Sequence, residues 1–229
     1  MKNQAVFTGL IIPNVFGPFG KPFYNSVGAA FCHQVAQSEP RKIDSDGDVK
    51  LMYVGELVQE IIIQIRTKKH QPKLEIQATS EKKVSEILAL LQHYKSEYQD
   101  KGSIPTLAST FELNLFNTFR CYMDIATHFP VKLMQHTDDR GSFVEIIRLE
   151  VGGQVSFSTT KPNITRGNHF HTRKIERFAV IKGKALIQLR EIGTDEVLNF
   201  ELNGDEPAYV DMPIWYTHNI KNIGEDILY

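Results

Sequence analysis

With 229 residues, the chain has room for one large domain or two small ones and can bury a core of ordinary size. Hydrophobic residues at 41% and charged residues at 23% exclude a largely disordered chain. The 26 basic and 27 acidic side chains leave a formal charge of -1, which excludes recruitment of nucleic acid or an acidic membrane by a global field.

Leu10-Ile11-Ile12 predicts a short strand that runs into the turn-rich loop Pro13 to Gly20, where ligands can enter. Ala5 to Val15 faintly resembles a signal peptide, but Gly9 and Pro13 interrupt its apolar run. A helix is expected over Ser26 to Val35. Asp44 to Asp48 reads as a polar turn, since Gly47 stands fourth where a calcium loop wants it sixth. Val49 to Val54 predicts a strand, and Val54, Leu57, Val58, Ile61, Ile62 and Ile65 recur at helical intervals up to Lys68. Lys73 to Ala78 reads as a strand. Two further helices are expected, one with Val84, Ile87, Leu91, Tyr94 and Tyr98 on one face, the other with Phe111, Leu115, Phe119 and Met123. Cys32 and Cys121 lie outside any metal spacing and read as reduced, packed thiols of a cytoplasmic protein.

Helical periodicity ends at His128-Phe129-Pro130, which places a linker at Thr127 to Val131. Beyond it come short alternating runs, Phe143 to Leu149, Gln154 to Thr159, Ile175 to Arg190, Glu196 to Glu201, Ala208 to Val210 and His218 to Ile220. Turns such as Gly152-Gly153, Gly193-Thr194-Asp195 and Asn203-Gly204-Asp205 separate them. This texture predicts an all-β jelly roll or barrel. Within it, His169 and His171 stand two apart, as same-face strand residues do, Glu176 follows across a bend, and His218 belongs to a neighbouring strand. Three neutral imidazoles and one carboxylate form a ligand set for a divalent ion, be it zinc, iron, manganese or nickel.

Pro13-Asn14-Val15-Phe16-Gly17, with Leu51 to Val58 opening a helix, resembles the C-terminal half of an extended short-chain dehydrogenase/reductase acting on nucleotide sugars. The resemblance implies that Pro13 lies near a nicotinamide and that Asn14 touches the sugar nucleotide. The family's Gly-rich cofactor turn and Tyr-x-x-x-Lys pair are not present in the chain. Residues 1–130 are therefore expected to be a truncated, substrate-side part of a Rossmann-type domain, unable to bind NADPH or transfer hydride.

His169-x-His171, Glu176, Gly183 and Pro213, His218, Asn222 match the two cupin motifs, with Trp215 where a Gly usually follows the Pro. Longer stretches, Asp139 to Glu145, Gly153 to Ser156, Lys161 to His171 and Tyr216 to Ile220, resemble the CapF-type enzymes of bacterial capsular polysaccharide synthesis, also called WbjC or FnlB. That resemblance implies an α/β part followed by a cupin β-barrel over residues 131–229, lacking its last strand, in a fragment of a longer homodimeric protein. It implies divalent metal, zinc first, on His169, His171, Glu176 and His218. It further implies a UDP-2-acetamido-2,6-dideoxy-4-keto-hexose epimerised at C3, then reduced at C4 with NADPH toward UDP-N-acetyl-L-fucosamine. Tyr216 and Lys174, or Arg173, are the acid–base candidates, and Arg166 and Arg140 the diphosphate candidates. Neither a nucleic acid nor a membrane is expected as partner. The rival readings are a sugar-binding or assembly module without turnover and a metal-independent deoxysugar epimerase.

Overall fold

The computed structural model describes residues 5–24, 26–138, 141–144, 146–147 and 158–229. The fold is a sheet-rich α/β arrangement that divides into two compact units: residues 1–96 with 107–122, and residues 97–106 with 123–229.

In the first unit the order is β1 (Thr8–Ile11), β2 (Asn14–Phe16), α1 (Val27–Ala36), β3 (Asp48–Tyr53), α2 (Val54–Thr67), β4 (Gln71–Glu75), β5 (Ser80–Lys83), α3 (Val84–Tyr94) and α4 (Thr110–Arg120). β1 pairs in parallel with β4, while β3 lies between a parallel β2 and an antiparallel β5. Helix starts are set by their caps: the Ser26 hydroxyl accepts from the Ala29 amide at 3.3 Å, and Ser109 accepts from Glu112 at 3.2 Å. Phe16, Cys32, Val35, Leu51, Ile87, Leu91, Leu115, Phe116 and Phe119 are buried. Cys32 and Cys121 are free thiols, and burial, with Cys121 nearby, pushes the Cys32 thiol far above its ordinary range, which makes it inert. The apolar stripe of α2 behaves differently from those of α1, α3 and α4. Val54, Val58, Ile61 and Ile65 all remain exposed.

The second unit contains α5 (Ile125–His128), β6 (Val131–Lys132), β7 (Gln135–Asp138), β8 (Gly141–Val144), β9 (Thr165–His169), β10 (Glu176–Val180), β11 (Lys184–Glu191), β12 (Leu198–Asn203), β13 (Ala208–Met212) and β14 (Tyr216–Asn222). Two sheets dominate, one ordered β12-β11-β14-β9 and the other β10-β13-β6, with β7 and β8 forming a hairpin. Along β11, Ala185, Ile187 and Leu189 are fully buried and alternate with more accessible residues, which is the period-2 pattern of a strand with one face in a core. They pack with Phe200 and Leu202 of β12, and with Val180, Tyr209, Val210 and Met212 of the other sheet. Of the expected jelly roll or barrel, closure is corrected here: the described strands form separate sheets that meet through side chains and do not close by hydrogen bonds. The expected strand Gln154 to Thr159 lies largely outside the described residues.

Candidate metal centre

The four predicted donors converge. His169 ends β9, His171 lies in the turn beyond it, Glu176 begins β10, and His218 is the third residue of β14. One ligand-capable atom from each lies within 4.8 Å of the others. His169 and His218 are directly opposite across the β9–β14 ladder, so their imidazoles share a face, with ring centroids 4.7 Å apart. Glu176 comes from the other sheet. The cluster thus depends on both sheets and on the turn between β9 and β10.

Local backbone choices bring the strands close enough. The register shifts between His218 and Asn219, and opposite it Gly167 adopts φ 105°. A Cβ at Gly167 would stand 2.8 Å from the His218 carbonyl oxygen and 3.0 Å from the Asn219 Cα, so only glycine lets β9 approach there. Asn219 Nδ2 donates to Oδ1 of Asn168, the residue left without a ladder partner at that shift, at 3.0 Å. Trp215, where the motif usually carries a glycine, adopts a left-handed backbone at φ 65°. Its amide donates to the His171 carbonyl at 2.9 Å, and its indole stacks on Phe170 at 5.7 Å between centroids and 26° between planes. These contacts offset a backbone strain of about 1–2 kcal/mol and tie the turn carrying His171 to the start of β14.

The electrostatics suit a cation. Glu176 Oε2 is 3.0 Å from His171 Nε2 and 3.0 Å from His218 Nε2, while Oε1 accepts from Lys174 Nζ at 2.5 Å. Burial alone would raise the Glu176 pKa, but the Lys174 hydrogen bond and charge, with His171 and His218, hold it below the ordinary carboxylate value. For His218, burial outweighs the Tyr216 carbonyl and Glu176 and, helped by the other two histidines, lowers the imidazole pKa. His218 Nδ1 lies 3.2 Å from the Tyr216 carbonyl oxygen, which accepts its proton in the neutral ring and leaves the Nε2 lone pair directed into the cluster. That Nε2 is buried and, although 3.0 Å from Glu176, lies off the line of a hydrogen bond. Ligand atoms about 2.0–2.1 Å from one ion stand roughly 2.8–3.4 Å apart at octahedral to tetrahedral angles. The 3.0 Å spacings among Glu176, His171 and His218 and the unsatisfied nitrogen are therefore compatible with a divalent ion there, with His169 as the fourth donor inside the 4.8 Å cluster.

The other expected site residues are distributed differently. Tyr216 is 8% exposed on the face of His218, and its hydroxyl donates to Glu191 Oε2 at 3.3 Å. Lys174 is exposed at the rim and bound to Glu176. Arg166 is exposed on β9 and donates to the Thr159 carbonyl at 3.3 Å. Arg140 lies outside the described residues. Pro13 and Asn14 belong to the first unit, with Asn14 exposed at the start of β2. Glu191 carries no motif; its place beside Tyr216 follows from the β11–β14 register.

Residues 136–229 match the family model described as the polysaccharide biosynthesis C-terminal domain. The chain is 31% identical over 219 residues to the UDP-2-acetamido-2,6-beta-L-arabino-hexul-4-ose reductase of Pseudomonas aeruginosa, covering 94% of this chain and 58% of that protein. It is 30% identical over 104 residues to the spore coat polysaccharide biosynthesis protein SpsL of Bacillus subtilis, covering 41% of this chain and 69% of that protein. The crystal structure of the capsular polysaccharide assembling protein CapF from Staphylococcus aureus superposes with a TM-score of 0.54 at 36% identity, over 96% of this chain and 61% of that one. A crystal structure of CapF with the inhibitor 3-isopropenyl-tropolone gives the same TM-score of 0.54 and 36% identity, over 96% of this chain and 64% of that one. The chain thus spans 58% of the Pseudomonas relative and 61% to 64% of the CapF chains. With the donor cluster and these likenesses together, the chain belongs with these polysaccharide biosynthesis proteins and fits the CapF type among them.

Proposed function

We propose that this chain acts in nucleotide-sugar modification for bacterial capsular or surface polysaccharide, as a metal-dependent 3-epimerase of a UDP-2-acetamido-2,6-dideoxy-4-keto-hexose. In this reading residues 131–229 are a cupin domain that carries the epimerase, and residues 1–130 are a substrate-side part of a reductase domain. The carrying observation is the convergence of His169, His171, Glu176 and His218 within 4.8 Å, in a chain similar to a hexulose reductase of a UDP-sugar.

Epimerisation at C3 breaks the C3–H bond, sends its electron pair toward the adjacent C4 ketone oxygen, and returns a proton to the opposite face of C3. A divalent ion, with zinc as the first choice, supplies positive charge to the developing oxyanion without a proton donor. Tyr216 and Lys174 are the proton-transfer residues of this reading. The Tyr216 hydroxyl is held by Glu191 and stands two residues from His218 on the same strand face. Lys174 reaches in from the rim and keeps Glu176 ionised and oriented. Arg166 and Arg140 serve the diphosphate. Reduction at C4 with NADPH toward UDP-N-acetyl-L-fucosamine needs a Gly-rich cofactor turn and a Tyr-x-x-x-Lys pair, and neither motif occurs in these 229 residues. Pro13 and Asn14 would face the nicotinamide and the sugar in the longer relatives' reaction. In this reading the protein is a cytoplasmic homodimer. Among the described residues no helix is long and apolar enough to cross a membrane.

The test is isotope exchange. The 4-keto sugar nucleotide is incubated in deuterated water with zinc-loaded protein, with chelator-treated protein and with His218→Ala. Deuterium at C3 with the zinc-loaded protein alone is the expected result. No exchange by folded, metal-loaded protein refutes the epimerase, and substrate binding without exchange would identify a sugar-binding module instead.

A further inference from the structure

Glu176 is the first residue of β10, and β10 is an outer strand of its sheet, hydrogen-bonded among the described strands to β13 alone. Lys174 orients the carboxylate once it is there, but the face of β10 from which Glu176 projects is set by the β10–β13 register. A slip of one residue in the β10–β13 pairing would turn the carboxylate away from the histidines and bring the next side chain in. That next side chain is Arg177, directly opposite Asp211.

Arg177 and Asp211 are 4% and 2% exposed. The guanidinium grips the carboxylate with two bonds, Nε to Oδ1 at 2.7 Å and Nη2 to Oδ2 at 3.0 Å. It lies 3.7 Å above the Tyr209 ring, and its Nη1 donates to the Gly102 carbonyl at 3.1 Å. The Tyr98 hydroxyl donates to Asp211 Oδ2. Tyr98 and Gly102 belong to the segment Glu97–Thr106, which forms part of the second unit. Side chains alternate along β10, so Glu176 faces the histidines while Arg177 faces this segment. As a source of stability a buried ion pair is weak, because desolvation cancels most of its attraction; its best-attested use is to specify register.

We propose that Arg177 and Asp211 are positioning residues for the metal centre: their buried cross-strand pair, clasped by Tyr98 and Gly102, locks β10 in the register that points Glu176 at His169, His171 and His218. The inference rests on reading those four residues as metal ligands. It accounts for a buried side-chain charge pair that no proton-transfer or substrate-binding role uses.

The apolar replacement Arg177→Met with Asp211→Leu separates positioning from stabilisation. Chelator-stripped protein is titrated with zinc against a chromophoric chelator, and the visible spectrum is recorded with cobalt(II) in place of zinc. The expected double variant has a melting temperature equal to or above that of the unsubstituted protein, yet binds zinc at least about 10-fold more weakly and shows a changed cobalt spectrum. A stable double variant with unchanged zinc affinity and spectrum overturns the proposal. If that variant does not fold, Tyr98→Phe keeps the ring and removes one bond to Asp211; an unchanged cobalt spectrum and affinity there overturns it equally. Failure of the unsubstituted protein to bind zinc or cobalt instead removes the metal reading on which the inference stands.

Discussion

Gly167→Ala tests how the strands that carry the histidines meet. At φ 105° an alanine backbone is strained by about 1–2 kcal/mol. Its Cβ would also stand 2.8 Å from the His218 carbonyl oxygen and 3.0 Å from the Asn219 Cα, where ordinary contact begins at 3.4 Å. Both obstacles are backbone, so β9 and β14 must part, which weakens one or two ladder bonds at about 1 kcal/mol each. The total expected loss is about 3 kcal/mol. Gly193→Ala is the control, because φ is 91° but nothing lies within 4 Å of its added Cβ. It carries the strain alone, about 1–2 kcal/mol. Urea unfolding of chelator-treated protein measures both losses, and zinc competition measures the site. Gly167→Ala should be the more destabilising by about 1–2 kcal/mol and should weaken zinc binding about 10-fold, with Gly193→Ala leaving zinc affinity unchanged. Equal destabilisation by the two substitutions, or full zinc affinity in Gly167→Ala, refutes the close approach of β9 and β14 as the feature that sets the site.

His218 has a lowered pKa because it is buried, so the unfolded chain takes up its proton first as the pH falls from the ordinary value of 6.5. Metal-free protein should therefore be most stable above pH 6.5 and lose stability below it, and His218→Asn should flatten that slope in unfolding measurements between pH 7 and 5. Zinc should raise the melting temperature of the unsubstituted protein in a concentration-dependent way and leave that of His218→Ala unmoved, as linkage to a folded-state site requires. Trp215→Gly relieves the strain at φ 65° while losing the Phe170 stack, so its stability should change by less than about 1 kcal/mol, whereas Trp215→Ala keeps the strain and should cost about 1–2 kcal/mol more. Thermal melts that rank the two in the opposite order would remove the strain account. Ile187→Ala empties a fully buried position of the second core and should cost about 2–5 kcal/mol by urea unfolding.

What could be read from the sequence is atom type and local period; what could not is pairing between distant segments. The four donors are legible because imidazole and carboxylate chemistry recurs at marked spacings, and Gly167 stands among them as a visible glycine. His171 shows the limit: two residues beyond His169 it reads as a strand neighbour, yet it lies in the turn after β9 and reaches the cluster because Trp215 holds its carbonyl. Ser80 to Lys83 is a strand with no apolar alternation, held by pairing with β3, so nothing local announces it. The stripe on α2 is the reverse case. Its period is plain, but period alone says that a face is apolar, not that the described residues cover it. Arg177 and Asp211 are 34 residues apart and carry opposite charges among many others, so their pairing emerges only with the β10–β13 register. The same register puts Glu176 opposite Met212, on the face where His218 waits from the other sheet. A ligand set can thus be written in short motifs while the strand alignment that makes it a site is written elsewhere, in residues that never touch the ion. For that reason substitutions at Gly167, Arg177 and Asp211 discriminate more sharply than substitution of a ligand: removing a ligand weakens any site, whereas shifting a strand does so only if the site is built across these particular strands.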